Sequence, residues 1–461
     1  MTVIRPNSIS GITSITAQGG DINVFRADGT AADATLNNIT SGIITATTFK
    51  GAVEGNVTGA VTGNVTGNVT GNATGLSGNP SINTTGIVTA TSFVPTTGQL
   101  SHRNLVINGD MRVAQRGTST TSNANFCVDR FMCLFGGTDE SPTYAQVNVQ
   151  PNTSPYTLGF RKALKITNGN QTGGAGTNDY VAIDYRIESQ DIANSGWNYT
   201  SSSSFITLSY WVKSSVAQNF YVTLKTDDGT DQNYAFETGS LTANTWTKIT
   251  KKIPGNSSLQ FDDDNGEGLR FRFVAFRGTD KTSSSYTLNT WSAYNSSARM
   301  PDNTSTWYTT NDATFEITGV QLEVGNVSTP FEHRSFGEQL LRCQRYYQQL
   351  VVAQGNAGIG ILRGSSSNNF QQLANIPQIV RMRAAASGAV VSSNSRINCR
   401  RLNGSSSNIT ADLSFAGGSA DHATVSFRFT GTTPGQFANT EPYVCWEEQR
   451  GSIVISQEAE L

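Results

Sequence analysis

Residues 268–278 read GLRFRFVAFRG, and this stretch decides the fold. Apolar residues recur at every second position between the two glycines, which is the period of a β-strand with one buried face. The same pattern, or a continuous β-branched one, occurs in FITLSYWVKSS (205–215), NFYVTLKTDDG (219–229), TWTKITKKI (245–253) and ATFEITGVQLEVG (313–325). Regular short strands between turns predict a mainly β protein, with a jelly-roll-like β-sandwich over residues 101–335.

Two further elements follow this predicted sandwich. In FGEQLLRCQRYYQQL (336–350), Phe336, Leu340, Cys343 and Tyr347 fall on one helical stripe, which predicts a linking helix. Beyond it, ATVSFRFTG, PYVCWEEQ and GSIVIS are again strand-like and are separated by Gly, Ser and Asn turns. Residues 351–461 are therefore predicted to form a smaller C-terminal β domain.

The first hundred residues have a different composition. They contain no Trp, Tyr or Cys and only three Phe, too little for an ordinary core. Within residues 51–75, Gly recurs at every fourth position and Val lies midway between, so an extended chain carries Gly and Val on one face. One chain cannot bury that stripe, but several identical chains wound together can. Residues 41–100 are thus predicted to form an oligomeric fibre shaft, and the alternative is a flexible Gly-rich linker.

The overall composition excludes several classes of function. The 461 residues carry a formal net charge of -2, which points to neither nucleic acid nor an anionic membrane surface as a partner. The sequence shows no apolar run of about 18 residues, so neither membrane insertion nor a signal peptide is expected. Its five cysteines lack zinc-site spacing and are predicted to be free thiols in a protein made in a reducing cytoplasm.

Motifs of the common enzyme classes are missing from the sequence. The three histidines, His102, His333 and His422, stand in unlike contexts and lack metal-ligand spacing. There is no GxSxG elbow and no phosphate-binding loop. We therefore expect no enzymatic activity and no cofactor. A polysaccharide depolymerase that works with paired carboxylates stays open as an alternative, because sequence spacing does not reveal such pairs.

An acidic turn, FDDDNGEG, gathers oxygen ligands of the kind that Ca²⁺ prefers. Asp262, Asp264 and Glu267 are the candidate ligands. The complete twelve-residue calcium loop is absent, so a solvated acidic turn is the competing interpretation.

Six aromatic residues in polar, loop-like surroundings are candidates for sugar contact. Aromatic rings stack on the apolar face of a pyranose, and neighbouring amides and carboxylates bind its hydroxyls. The candidates are Trp197, Tyr199, Trp291, Tyr294, Trp307 and Tyr308. The alternative is that these rings pack beneath their own loops. Trp211 and Trp246 lie in strand patterns and are predicted to belong to the core.

Three stretches resemble tail-fibre and related virion proteins of marine and cyanobacterial phages. They are NLVINGDMRVAQRG (104–117), ITGVQLEVGNVSTPFEHRSFGEQLLRCQRYYQ (317–348) and SQEAEL (456–461). The resemblance implies a homotrimer in the virion tail that binds a host-surface glycan through carbohydrate-binding-like β domains. It also implies that residues 1–40 attach to a virion tail or adaptor protein. Residues 351–461 would then form the distal tip. A purely structural fibre or decoration protein without receptor contact is the main alternative.

Overall fold

The computed structural model describes part of the chain, namely residues 101–352, 360–362, 371–377, 379–385, 387–390, 396–401, 409–418, 424–431, 443–446 and 453–461. These residues all belong to one compact unit. The predicted attachment segment (1–40) and fibre shaft (41–100) lie outside the described residues.

Thirteen strands and the first three helices come from residues 119–324. The strands are β1 (Ser119–Thr120), β2 (Asn125–Val128), β3 (Phe131–Gly136), β4 (Thr143–Asn148), β5 (Lys162–Thr167), β6 (Tyr180–Glu188), β7 (Phe205–Ser214), β8 (Asn219–Thr226), β9 (Gln232–Ser240), β10 (Thr247–Pro254), β11 (Glu267–Arg277), β12 (Ser292–Ala293) and β13 (Thr314–Val324). The helices are α1 (Ser154–Thr157), α2 (Ser189–Ala193), α3 (Thr306–Thr309) and a single 3₁₀ turn (Thr279–Lys281).

These strands form two antiparallel sheets that pack face to face. Sheet I has the order β1-β4-β5-β13-β7-β10, and sheet II has the order β12-β9-β8-β11-β6-β3-β2. The stretch that opened the sequence analysis is β11, at the centre of sheet II. The prediction of a mainly β protein with a jelly-roll-like β-sandwich is confirmed.

The core between the two sheets is built from aromatic side chains on the inner faces of their strands. Phe271 and Phe273 of β11 are fully buried. The Phe273 ring meets Tyr210 of sheet I edge-on at 4.8 Å, and Phe271 stacks on Tyr185 at 4.9 Å. Each buried ring of this size stabilises the fold by about 1.5–3 kcal/mol relative to an exposed one.

A β-bulge interrupts the alternation near the end of β11. The register with β6 shifts between Val274 and Phe276, and both Ala275 and Phe276 belong to the inner core. Because two consecutive residues point inward, the alternation between inner and outer faces shifts by one residue after the bulge. Arg277 therefore lies on the outer face with Arg270 and Arg272.

Helix α4 spans Phe336–Gln344 and is shorter than the predicted linking helix, which ran over residues 336–350. Its start is fixed by Ser335, whose hydroxyl accepts a hydrogen bond from the Glu338 amide at 3.2 Å. Tyr347 does not continue the helix but begins strand β14. Its backbone pairs there with an antiparallel strand near the end of the sequence, opposite Glu458. Among the described residues, no helix has the length and apolarity needed to cross a bilayer.

Nine further strands follow α4 within the described ranges. They are β14 (Tyr347–Val352), β15 (Gly360–Leu362), β16 (Gln371–Pro377), β17 (Ser387–Val390), β18 (Arg396–Arg401), β19 (Ile409–Gly418), β20 (Thr424–Gly431), β21 (Tyr443–Trp446) and β22 (Ile453–Glu458). They form a sheet of order β14-β22-β17 and a second of order β15-β21-β18-β19-β20-β16. The boundary placed at residue 351 stays a prediction, and strand β14 runs across it.

Cys127, Cys133 and Cys343 are free and buried. Cys399 and Cys445 are register partners in β18 and β21, and their side chains lie outside the described set.

The last three residues return to the sandwich and form what we call the clasp (Ala459–Leu461). Glu460 binds Arg116 at 3.0 Å and forms a closer ion pair with Arg130. Arg130 is 3% exposed, and its guanidinium also lies 3.4 Å from the centre of the Tyr346 ring. Burial alone would lower the pKa of Arg130, but the carboxylate of Glu460 reverses this and raises it. The clasp thus supplies the counter-charge for a buried cation.

Replacing that counter-charge should destabilise the protein. We expect Glu460→Gln to lower the free energy of unfolding by about 3 kcal/mol, because Arg130 keeps its buried charge and loses its partner. Urea denaturation measures the change. Glu458→Gln is the matched control, since Glu458 is 49% exposed and binds Arg116 at 3.3 Å. It should cost less than about 1 kcal/mol, and equal losses for the two variants would contradict the proposed role of the clasp.

Candidate functional site

Two of the six candidate aromatic residues belong to the core. Trp307 and Tyr308, in α3, are both fully buried. The Trp307 indole donates a hydrogen bond to the Thr314 carbonyl at 3.0 Å, and the Tyr308 ring stacks on Phe276 at 4.2 Å. Neither ring has a face open to a ligand, so their assignment to a sugar site is corrected: they pack beneath their loop.

Three more of the candidates pack at the margins of the core. Trp291 is 7% exposed and donates its indole hydrogen to the Pro254 carbonyl at 2.7 Å. Trp197 is 3% exposed. Tyr199 is half-buried and meets Phe261 edge-on at 5.0 Å. These contacts hold loops onto the sandwich and do not bring the three rings together into a site.

Tyr294, by contrast, lines a depression on the outer face of sheet II. Two adjoining cavities there share Arg272 and Arg299 in their walls, and we call them together the cleft. The larger cavity, of about 290 Å³, is lined by Leu134, Asn178, Tyr180, Arg272, Arg277, Lys281 and Arg299. The smaller, of about 30 Å³, is lined by Thr223, Lys225, Asn233, Arg270, Arg272, Tyr294 and Arg299.

The strand register builds the floor of the cleft. Arg272 of β11 stands between Asp184 of β6 and Thr223 of β8. All three side chains point away from the core because their neighbours along each strand point into it. Thr223 and the adjacent Ala235 are small, and this keeps the middle of the face low.

A long loop, residues 278–301, forms one wall of the cleft and is fixed to the sheet by hydrogen bonds. The Arg299 amide donates to the Lys281 carbonyl at 2.9 Å, and the Tyr294 amide donates to the Asp231 carbonyl at 2.8 Å. Met300 packs on Ala235 in a small outer cluster. The side chains of Lys281, Tyr294 and Arg299 are thereby held above the strands.

Asp184 organises the charges on the floor. It is completely buried and binds Arg272 at 2.8 Å and Arg186 at 3.1 Å, with Arg270 further away at 3.8 Å. Asp184 thus contacts three guanidinium groups, two of which, those of Arg186 and Arg270, also pair with Glu267. The three arginines still outnumber these two carboxylates.

The other cations of the larger cavity have no carboxylate partner among the described residues. Arg299 donates from Nε to the Ser296 carbonyl at 3.1 Å, and its guanidinium lies 5.5 Å from the centre of the Tyr294 ring. Burial, and then the positive charges of Arg272 and Arg299, lower the pKa of Arg277 to about 9. The Arg277 guanidinium is still charged at neutral pH.

The chain matches no protein-family model and no curated protein sequence. Among solved structures it is similar to the CBM22-1–CBM22-2 tandem domain of Paenibacillus barcinonensis Xyn10C, with 10% identity over 80% of this chain and 97% of that one and a TM-score of 0.24. It is also similar to the enzymatically active domain of bacteriophage CBA120 tailspike protein 4, with 11% identity, 48% and 21% coverage and a TM-score of 0.25. The family 11 carbohydrate-binding module of Clostridium thermocellum shows 12% identity, 46% and 98% coverage and a TM-score of 0.21. Scores this low establish neither a common fold nor a common ligand.

The three residues predicted to bind Ca²⁺ have other partners. Glu267 forms ion pairs with Arg270 at 2.6 Å and Arg186 at 3.4 Å. Asp264 accepts a hydrogen bond from the Gly266 amide at 2.8 Å, and Asp262 is exposed. Within the described ranges, no group of three or more His, Cys, Asp or Glu side chains is placed to hold a metal ion. Calcium binding stays a prediction.

Larger cavities of about 350 and 740 Å³ lie beside α2 and α4, at one end of the sandwich. Most of the arginines on their walls are already engaged within the protein. Arg345 binds Glu188 at 2.7 Å, and Arg383 donates to the Asn265 and Glu460 carbonyls at 2.8 and 2.9 Å. These groups join segments of the chain, and we therefore place the candidate site in the cleft.

Sequence reasoning missed most of the cleft. Tyr180 and Arg277 were not candidates, although both line its larger cavity. Trp211 and Trp246 were predicted to be core residues, but both are half-buried around a small cluster that includes Phe160, outside the main core. The sequence did contain one indication of the cleft. Arg270 and Arg272 alternate with the buried residues of β11, and this pattern indicates a charged outer face of the sheet.

Truncation of a fully buried tryptophan and of a half-buried one should change the stability of the protein by different amounts. We expect Trp307→Ala to lower the free energy of unfolding by about 3–5 kcal/mol, because it empties a fully buried volume. Trp246→Ala, which removes a half-buried ring, should cost clearly less. Chemical denaturation of both variants measures the difference. A Trp307 variant as stable as the unmodified protein would show that this ring is not part of the core.

Proposed function

We propose that this protein is a tail-fibre component of a phage virion that attaches to the host by binding a surface glycan in the cleft. The observation that carries the proposal is the composition of the larger cavity. It combines an aromatic ring (Tyr180), an apolar side chain (Leu134), an amide (Asn178) and several cations. Its volume of about 290 Å³ suits one or two sugar rings.

The chemistry of sugar binding supports this location. A pyranose offers one apolar face to an aromatic ring, and its hydroxyl groups need directional hydrogen-bond partners. Asn178 and the arginines supply such donors beside Tyr180. Tyr294, at the other end of the cleft, has Lys225 at 5.1 Å from its ring centre. Both ends of the cleft thus pair an aromatic ring with polar groups.

The fold also supports the resemblance to phage fibre proteins, because the three resembling stretches meet in space. The Leu105 amide donates to the Leu322 carbonyl at 2.9 Å, which joins residues 104–117 to residues 317–348. Gly109 passes so close to the Val320 carbonyl oxygen that a Cβ would stand 2.0 Å from it. Arg116 binds Glu460 of the third stretch at 3.0 Å. The matched residues therefore build one common scaffold.

The remaining parts of the proposal concern assembly and location. We infer a homotrimer held together by residues 41–100, with residues 1–40 bound to a virion tail or adaptor protein and the protein made in the host cytoplasm. Three copies of a weak sugar site on one fibre raise the avidity by roughly 10² or more when they bind together. Modest clefts are then sufficient for attachment.

Glycan attachment through the cleft predicts a specific loss on mutation. We expect Tyr180→Ala to weaken binding to host cells about tenfold per site, because the stacking face is lost. Trp246→Ala removes a half-buried ring elsewhere and should leave cell binding unchanged. Fluorescently labelled protein and intact host cells provide the measurement.

Two further results would contradict the proposal. Unmodified protein that labels virions but does not bind host cells would favour a purely structural fibre or decoration protein. Shortening of host polysaccharide on incubation with the protein would favour the depolymerase instead.

The proposed assembly is tested by analytical ultracentrifugation. The full chain should sediment as an elongated trimer, and residues 101–461 alone should sediment as a smaller species, because the Gly and Val stripe of the shaft has no partner within one chain. A compact monomer of the full chain would contradict the trimer.

A further inference from the structure

Arg277 is a buried cation that no described residue neutralises. It is 4% exposed, and its Nε atom has no hydrogen-bond partner among the described residues. Across the residues that the structure describes, its side chain forms no ion pair and no hydrogen bond. Removing a guanidinium from water without a partner costs several kcal/mol, and such groups are rare in folded proteins unless something else compensates them.

The surroundings of Arg277 increase this cost. The wall of the larger cavity carries Arg272, Lys281 and Arg299 but no Asp or Glu. Of these cations, Arg272 alone has a carboxylate partner among the described residues, the shared Asp184. Repulsion from Arg272 and Arg299 helps to depress the pKa of Arg277. Four cations therefore face one cavity with a single, already shared, negative charge beneath them.

The bulge in β11 is what directs Arg277 into the cavity. Without the register shift between Val274 and Phe276, position 277 would face the core and Phe276 would face outward. Bulges often redirect a side chain beside a functional site. The local backbone is thus arranged to present this guanidinium and not to hide it.

We propose that the larger cavity binds the anionic group of an acidic sugar, either the carboxylate of a uronic acid or a sulfate ester. This inference rests on the proposed function and names the class of glycan. The anion supplies the counter-charge that the described residues lack, and the planar guanidinium of Arg277 binds it through paired N–H donors. Lys281 adds a second positive contact, and the sugar ring lies against Tyr180 and Leu134.

A neutral sugar does not fit the cavity as well. Its hydroxyl oxygens can accept hydrogen bonds from Arg277 but carry no negative charge, so the buried guanidinium would still lack a counter-charge and the stronger charge-assisted hydrogen bonds. An anion without a sugar ring would leave the Tyr180 and Leu134 surfaces uncovered. The cations of the wall recognise the negative charge, and the Tyr180 and Leu134 side chains recognise the sugar ring.

The test compares sugars that differ only in charge. The full-length protein is titrated calorimetrically with D-glucose, D-glucuronate and D-glucose 6-sulfate at constant ionic strength. We expect one or both anionic sugars to bind at least tenfold more tightly than glucose, and the two anionic arms distinguish carboxylate from sulfate. If glucose binds as well as both anionic sugars, the inference fails while glycan binding stands. If the protein binds host cells but none of the three sugars, the inference also fails.

Arg277→Met separates recognition from folding. It should abolish the preference for the anionic sugars and raise the melting temperature of the free protein by about 2 °C or more, because an unpaired buried charge is removed. Arg161→Met is the matched control, since Arg161 is exposed and its change alters the net charge equally. This variant should retain the preference. A lower melting temperature for Arg277→Met, with the anionic preference intact, would assign Arg277 to the fold and overturn the proposal.

Discussion

The two faces of sheet II are the constraint on which the rest of the structure depends. Strand β11 alternates Phe271 and Phe273 on its inner face with Arg270 and Arg272 on its outer face. The inner rings can be buried only if sheet I covers them, and this closes the sandwich. The outer arginines then lie side by side with neighbours in β6 and β8, and only a carboxylate such as Asp184 makes that arrangement stable.

The departure from this alternation near the end of β11 shapes the proposed site. The bulge in β11 brings Phe276 into the core, where it stacks with Tyr308, and sends Arg277 outward. The apolar gain on one face accompanies an uncompensated charge on the other. Proteins commonly retain such locally unfavourable groups where a ligand is bound, and the folded state tolerates them because the surrounding core is large.

Local patterns in the sequence predicted the strands and the class of fold, since period-two alternation reports directly on a sheet with one buried face. They failed where long-range contacts decide. Tyr347 leaves the helix because its partner strand lies more than a hundred residues later in the chain. Trp307 and Tyr308 occur among polar residues, and nothing local shows that a core covers them. Arg277 was missed because the position of a bulge depends on the neighbouring strand.

The clasp has a consequence for biosynthesis. Arg130, in the turn between β2 and β3, is buried together with a carboxylate 330 positions further along the chain. A ribosome that has made the whole sandwich has not yet made Glu460, so during translation this guanidinium must stay hydrated or remain unpaired. Contacts of such long sequence separation form late and slow the final folding step. A copy truncated before Glu460 would keep the Arg130 guanidinium without this counter-charge.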